Sequence, residues 1–205
     1  LKPVVGSIEL LAGEIPPDGV PGELMAIILK ESESLEGFLA DFLTFSRDKT
    51  LTMEDVDLDT VIRAEIAAVT RHPACAPGVR VEVLSGSSPA VAHIDREALR
   101  TVMRNLLLNA LEATHAGRVT VAWNEAGSGI EIIVADTGVG LPEGDPELLF
   151  EPFCTHKPGG TGLGLSIARR LSRRLGGDVI LEQGDGRGAR AILRLDNSCV
   201  QRRAA

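Results

Sequence analysis

The sequence predicts an α+β chain, a helical hairpin followed by an α/β layered sandwich, and three observations predict it. Apolar residues recur at helical spacing on both sides of a Gly- and Pro-rich break running from Gly13 to Gly22. Beyond Thr50, strand-like alternating stretches are interleaved with helical ones. Two glycine clusters, Gly138 to Gly140 and Gly159 to Gly164, stand out, the first closing a β-rich run and the second opening a helix.

With 205 residues the chain has room for one full domain plus a smaller element, or for one large domain. Its hydrophobic share of 44% supports a core, but aromatics are 3% and Tyr is absent, so small aliphatic side chains must supply the packing. A net charge of −8 argues against a nucleic-acid surface, which wants a basic face. Cys75, Cys154 and Cys199 are odd in number and widely spaced, without metal-ligand spacing. A reduced cytoplasmic compartment fits them. No apolar run approaches the ~18 residues needed to span a bilayer, so any membrane part is expected outside this sequence.

In chain order, Leu1, Val4, Val5, Ile8 and Leu11 share one helical stripe, and the chain starts as if already inside a helix. After the break, Leu24, Ile27, Ile28, Leu35, Phe38, Leu39, Phe42 and Phe45 form a second stripe, opposite Glu23, Lys30, Glu31, Glu33 and Glu36. Two such helices form a hairpin that cannot bury both stripes alone. A matching hairpin from a second copy is expected to cover them, completing a four-helix bundle; packing on the chain's own globular domain is the alternative. Ser46 to Thr50 mark a boundary, giving expected units of residues 1–48 and 51–196 and a polar tail, 197–205.

A short strand is expected near Leu51 to Met53, then a helix from Leu58 to Val69, then strands at Val79 to Val83 and Ala90 to Ile94. Asp95 suits an N-cap for a helix reaching Thr114, with Leu99, Val102, Met103, Leu106, Ala110 and Ala113 as its core stripe. Val119 to Trp123 and Gly129 to Ala135 read as a strand pair. The glycine-led helix runs to Leu175, where Gly176 and Gly177 end it. Strands near Val179 to Glu182 and Ala189 to Leu195 close the domain.

The chemistry-bearing residues lie around these elements. Asp136, Gly138 and Gly140 end a strand with a carboxylate and a backbone free to turn sharply and approach a ligand. Gly160, Thr161, Gly162, Leu163 and Gly164 lead into a helix whose first amides and dipole favour an anion. A carboxylate able to read a base beside a phosphate-holding helix start indicates nucleotide binding. Asn105 and Asn109 share one helix face that Glu112 extends. An unpaired buried amide costs ~1–3 kcal/mol, so both need a partner: nearby backbone, water, or a hard cation such as Mg²⁺. Beside the glycine clusters, the cation reading is preferred. The run Arg169, Arg170, Arg173 and Arg174 reads as a solvated helix face.

Asn105 to Ala110, Asp136 to Gly140, Phe150-Glu151-Pro152-Phe153 and Gly160 to Leu165 resemble, in order, the four ATP boxes of sensor histidine kinases. The hairpin ending in Asp41-Phe42-Leu43-Thr44-Phe45-Ser46-Arg47 resembles that family's dimerisation and phosphotransfer module, and the run Lys157 to Gly162 is similar to its nitrogen-regulation and pilus-regulation subgroup. The resemblance implies a Bergerat-type sandwich binding ATP and Mg²⁺. By that resemblance Asp136 accepts from the adenine amino group, Asn109 binds the metal, and Asn105 stands beside the phosphates. Lys157 would reach the phosphates from a lid, with possible assistance to phosphotransfer from it and Asn105. Phe150 and Phe153 would pack that lid on the phosphotransfer helices or simply anchor it. The implied partners are a second copy and the receiver domain of a response regulator. The implied place is the cytoplasm, membrane-attached only through a part outside this sequence.

The sequence also departs from the family pattern. The acceptor histidine lies in a segment that would directly precede Leu1, and His72, His93, His115 and His156 do not replace it, so self-phosphorylation is not expected. Arg190 stands near where a Thr often supports the adenine contact. Related ATPases of the gyrase type carry a glutamate base where Asn105 stands; an amide cannot take a proton, so fast hydrolysis is not expected. Anti-sigma serine kinases lack the hairpin and the Phe-Glu-Pro-Phe segment. A nucleotide-binding dimer module without phosphotransfer is the remaining alternative.

Overall fold

The computed structural model describes residues 2–15, 18–46, 50–84, 91–126, 129–155, 157 and 160–196. The expected tail 197–205, with Cys199, lies outside the described residues, as do His156, Gly159 and most of the boundary after Ser46. The chain forms two compact units: Leu1–Asp48 with His156–Thr161, and Lys49–Thr155 with Gly162–Ala205.

The first unit is built on α1 (Lys2–Glu14) and α2 (Val20–Ser46). The break is shorter than the sequence suggests, because Pro21 and Gly22 fall inside the first turn of α2. Proline is tolerated there, where its missing N–H has no helical acceptor anyway. Gly19 takes φ 85° just before the helix, and its carbonyl accepts from Glu23 N–H at 3.1 Å. Phe38 and Phe42 stack one turn apart, ring centroids 6.3 Å apart. No described residue of the hairpin is buried, and Leu24, Ile27, Ile28, Leu35, Phe42 and Leu43 are exposed.

In the second unit, β1 (Glu54–Asp57) pairs antiparallel with β3 (Val91–Ile94) as a small separate sheet. The strand expected at Leu51 to Met53 begins later. Thr52 N–H is taken by Asp95 Oδ2 at 2.7 Å, and Val56 is the inward residue. α3 (Leu58–Val69) is capped by Asp57, whose side chain accepts from Thr60 N–H. Its buried face includes Glu65, which Arg100 Nε reaches at 2.6 Å, joining α3 to α4 (Arg96–Ala113). Asp95 caps α4 as expected, accepting from Ala98 N–H at 2.8 Å. Ala113 of the expected stripe is only half-buried, since the helix is ending there.

Five strands form the main sheet in the order β2-β4-β5-β7-β6: β2 (Val79–Leu84), β4 (Gly117–Ala126), β5 (Gly129–Asp136), β6 (Gly177–Gln183) and β7 (Ala189–Asp196). The strand pair read from the sequence is the antiparallel β4–β5 ladder. β2 pairs with β4 in parallel. A parallel pair needs a crossover, and β3 with α4 supplies it. Alternate residues Val119, Val121 and Trp123 on β4 and Ile130, Ile132 and Val134 on β5 are buried in one core with Leu99, Val102, Met103, Leu106 and Leu107 of α4. The result is a helical layer, α3, α4 and α5 (Gly164–Arg174), over a sheet. Among the described residues no helix is long and apolar enough to cross a membrane.

Candidate functional site

The site begins where β5 leaves the sheet. Asp136 Oδ1 accepts from the Gly138 amide at 2.8 Å and from the Ala189 amide of β7 at 3.3 Å, so two backbone donors orient the carboxylate. Bonded this way, the carboxylate is held in one orientation. Gly188 makes the arrangement possible, because a Cβ there would sit 1.7 Å from Asp136 O. Gly138 is equally constrained. A Cβ would lie 2.1 Å from Ala113 O, the carbonyl that accepts from Val139 N–H at 3.1 Å. That contact seats the glycine turn on the C-terminal end of α4. Gly140 takes φ 81°, and Gln183 Oε1 holds the next residue by accepting from Leu141 N–H at 3.2 Å.

The amide face of α4 meets the start of α5. Asn105 Nδ2 donates to Thr101 O at 2.9 Å, so one end of the amide is tied to its own helix. Its Oδ1 faces α5: a Cβ on Gly164 would stand 2.8 Å from that oxygen and 3.9 Å from Asn109 Nδ2. Both asparagines are half-buried, whereas Glu112 is exposed. α5 opens at the buried Leu163 without a side-chain cap, in the manner of a helix start that receives an anion. Gly162 takes φ 66°, packed so closely that a Cβ would fall 2.5 Å from Phe153 C. The remaining residues of the motif belong to the first unit. There Gly160 N–H donates to the Lys157 carbonyl at 3.1 Å, and Thr161 Oγ1 donates to Asp41 Oδ2 at 3.0 Å.

The second unit thus brings together Asn105, Asn109, Asp136, Gly138, Gly140, Gly162, Leu163 and Gly164. Its glycines let backbone pack closely around Asp136 and Asn105, and the uncapped start of α5 leaves helix amides that suit the phosphates of a ligand. Among the described residues no group of three or more His, Cys, Asp or Glu side chains could hold a metal ion. A cation here would therefore draw on the oxygens of an amide such as Asn109 and of phosphates, the donor set Mg²⁺ accepts.

Residues 94–198, just over half of the chain, match the model of the histidine kinase-, DNA gyrase B-, and HSP90-like ATPase family. The chain belongs to that family. It is similar to the sensor histidine kinase ZraS of Escherichia coli O157:H7, 29% identical over 194 residues that cover 94% of this chain and 42% of ZraS. Among solved structures it resembles the mycobacterial sensor histidine kinase MprB, at 27% identity and TM-score 0.64, over 71% of this chain and 97% of that one. Full-length ShkA, solved with AMPPNP, shares the fold at TM-score 0.79 and 24% identity, over 99% of this chain and 44% of that one. The chain carries the ATP-binding domain of that family, and it spans about two fifths of the length of the curated relatives it matches.

In this ATPase domain the two phenylalanines of the Phe-Glu-Pro-Phe segment divide their roles. Phe150 ends a 3-10 turn, Pro146–Phe150, and is buried in the core. Phe153 is 57% exposed and takes φ 67°, a conformation rare for an aromatic residue. Its N–H donates to Gly162 O at 3.0 Å.

The arginine run is not a uniformly solvated face. Arg169 is only 15% exposed, with its guanidinium 4.3 Å from the Phe150 ring centroid. It pairs with Glu147 of the 3-10 turn, and Arg169 Nε donates to Asp178 Oδ1 of β6 at 3.1 Å. Glu147, against partial burial and with help from Asp178, raises the Arg169 pKa further. Burial pushes the Asp178 carboxyl up, but bonds from Arg169, the Val179 amide and Arg173 outweigh it and leave it below the ordinary range. Of the four histidines, His72 Nδ1 accepts from Ala74 N–H at 3.2 Å and His93 pairs with Asp55 at 2.8 Å, both ordinary structural roles. Sequence reasoning passed over Gln183 and Gly188 and placed Arg169 on a solvated face. Only Gly188, one of several glycines in a loop between strands, carried any local signal.

Proposed function

We propose that this chain is the kinase core of a two-component sensor, binding Mg-ATP and passing the γ-phosphate to a histidine for relay to a response regulator. The observation that carries the reading is the meeting of the α4 amide face with the glycine start of α5, where a Cβ on residue 164 would stand 2.8 Å from Asn105 Oδ1. Asp136 reads the adenine amino group, fixed for that task by the Gly138 and Ala189 amides. Gly162, Leu163 and Gly164 take the phosphates against the α5 dipole. Asn109 would hold Mg²⁺ through its amide oxygen, and the cation when bound neutralises phosphate charge. Lys157, by the resemblance, would supply the phosphates with a point charge. Asn105, an amide, takes no proton from water, so the site favours transfer over hydrolysis.

In the transfer, an imidazole nitrogen of the acceptor attacks the γ-phosphorus, the bond to the β,γ-bridging oxygen breaks, and ADP leaves. The acceptor is a histidine other than the four in this sequence. The run Lys157 to Gly162 favours the nitrogen-regulation and pilus-regulation subgroup, and the exposed hairpin stripe favours a homodimer. The cytoplasm, where ATP and response regulators reside, is the expected location.

The test is incubation with γ-labelled ATP and Mg²⁺, with and without a separate hairpin bearing the histidine. Acid-labile label on the added hairpin alone is expected. Label on this chain itself would show an acceptor among its own histidines. ATP binding without any transfer, given a hairpin that another kinase core phosphorylates, would reduce the chain to a nucleotide-binding module.

A further inference from the structure

Phe153 and Gly162 meet, since Phe153 N–H donates to Gly162 O at 3.0 Å. The stem leading to Phe153 is the 3-10 turn Pro146–Phe150, and the stem leading away from Gly162 is α5. Arg169, on α5, reaches back to the leading stem. Its guanidinium pairs with Glu147 and lies over Phe150, both on the leading stem. Its other edge is fixed to Asp178 of β6, by Nε at 3.1 Å and by Nη2 at 3.5 Å. One planar group therefore ties the leading stem, the trailing helix and the edge of the sheet together. Phe150 is in turn part of the core, so the tie is anchored on rigid structure.

We infer that Arg169 is a positioning residue for the nucleotide's terminal phosphate, acting through the two stems that carry Phe153 and Gly162 to Gly164. The inference rests on the ATP-binding reading above. Loss of the tie loosens the end of the site that meets the phosphates and leaves the Asp136 end, on β5, unaltered. Holding the start of α5 in the bound arrangement lowers the cost of presenting its amides to the phosphates. The effect must therefore grow with the number of phosphates.

The test compares affinity for ADP and for a non-hydrolysable ATP analogue, with Mg²⁺, by calorimetry, alongside thermal melting. Arg169→Ala should weaken the ATP analogue by roughly tenfold while ADP changes by about threefold or less, a separation well above measurement error on an affinity scale. Glu147→Gln cuts only the arm to the leading stem, and should shift the same ratio in the same direction. Asp178→Asn cuts the arm to the sheet, and should lower the melting temperature with little change in the ratio. Arg169→Lys keeps the charge without the planar fork, and should fall between wild type and Arg169→Ala. Lower melting temperatures with an unchanged ATP-to-ADP ratio in Arg169→Ala and Glu147→Gln would overturn the inference. If Arg169→Ala does not fold, Glu147→Gln alone decides. Failure of the wild-type chain to bind either nucleotide would instead overturn the ATP-binding reading itself.

Discussion

At the scale of single residues, the site is made by backbone approaching side chains more closely than a Cβ allows. Gly138 against Ala113 O, Gly164 against Asn105 Oδ1 and Gly188 against Asp136 O each remove an atom so that a polar group can be aimed. Asp136 is the residue whose loss should matter most. A hydrogen bond to a charged group contributes about 1.5–3 kcal/mol, so Asp136→Ala should weaken ATP roughly ten- to hundredfold. Because its Oδ1 also holds the Gly138 and Ala189 amides, melting of the same variant shows how much of the loss is structural. Unchanged nucleotide affinity would remove the central assignment. Asn109 carries a different signature. The gain in ATP affinity on adding Mg²⁺ over a chelator should be large in the wild type and mostly gone in Asn109→Ala. An equal gain in both would move the metal elsewhere.

At the scale of elements, α4 serves core and candidate site together, since one stripe packs inward and its amide face meets the glycine start of α5. Its start is held by Asp95, a buried carboxylate that accepts from Ala98 N–H at 2.8 Å and from Thr52 N–H at 2.7 Å. Removing a cap of this kind costs about 1–2 kcal/mol, and a second donor left without its partner adds to that. Asp95→Ala should therefore destabilise the domain by about 2 kcal/mol or more in urea unfolding, with Asp95→Asn recovering part of the loss. A change below about 0.5 kcal/mol, the ordinary range for surface substitutions, would mean that the helix start does not depend on this cap.

At the scale of the whole molecule, the hairpin has two apolar stripes and no buried residue among those described. A helix of 27 residues with Leu24, Ile27 and Ile28 exposed does not gain enough from one partner helix to hide that face. Sedimentation should show a dimer. Ile28→Glu should shift it toward monomer while ATP affinity stays within about twofold, as expected for sites in separate units. A wild-type monomer at tens of micromolar would send the stripe to another partner.

Much of this was legible in the sequence, and the reason is local chemistry. Helical spacing, an Asp before a helix and glycines after a strand leave marks within a few residues, so α3, α4, α5 and the β4–β5 pair appear where the patterns put them. Asn105, Asn109 and Asp136 could be singled out because amides and carboxylates beside apolar or glycine runs need a reason to be there. Tertiary structure alone decided what depends on chain segments far apart. The parallel β2–β4 pair follows from a crossover through α4, and the late start of β1 follows from Asp95 capturing Thr52 N–H. Gln183 on Leu141, and Arg169 between Glu147, Phe150 and Asp178, are contacts between distant residues with no periodicity to announce them. A sequence records which side chains need a partner. Only the fold brings the partner within reach.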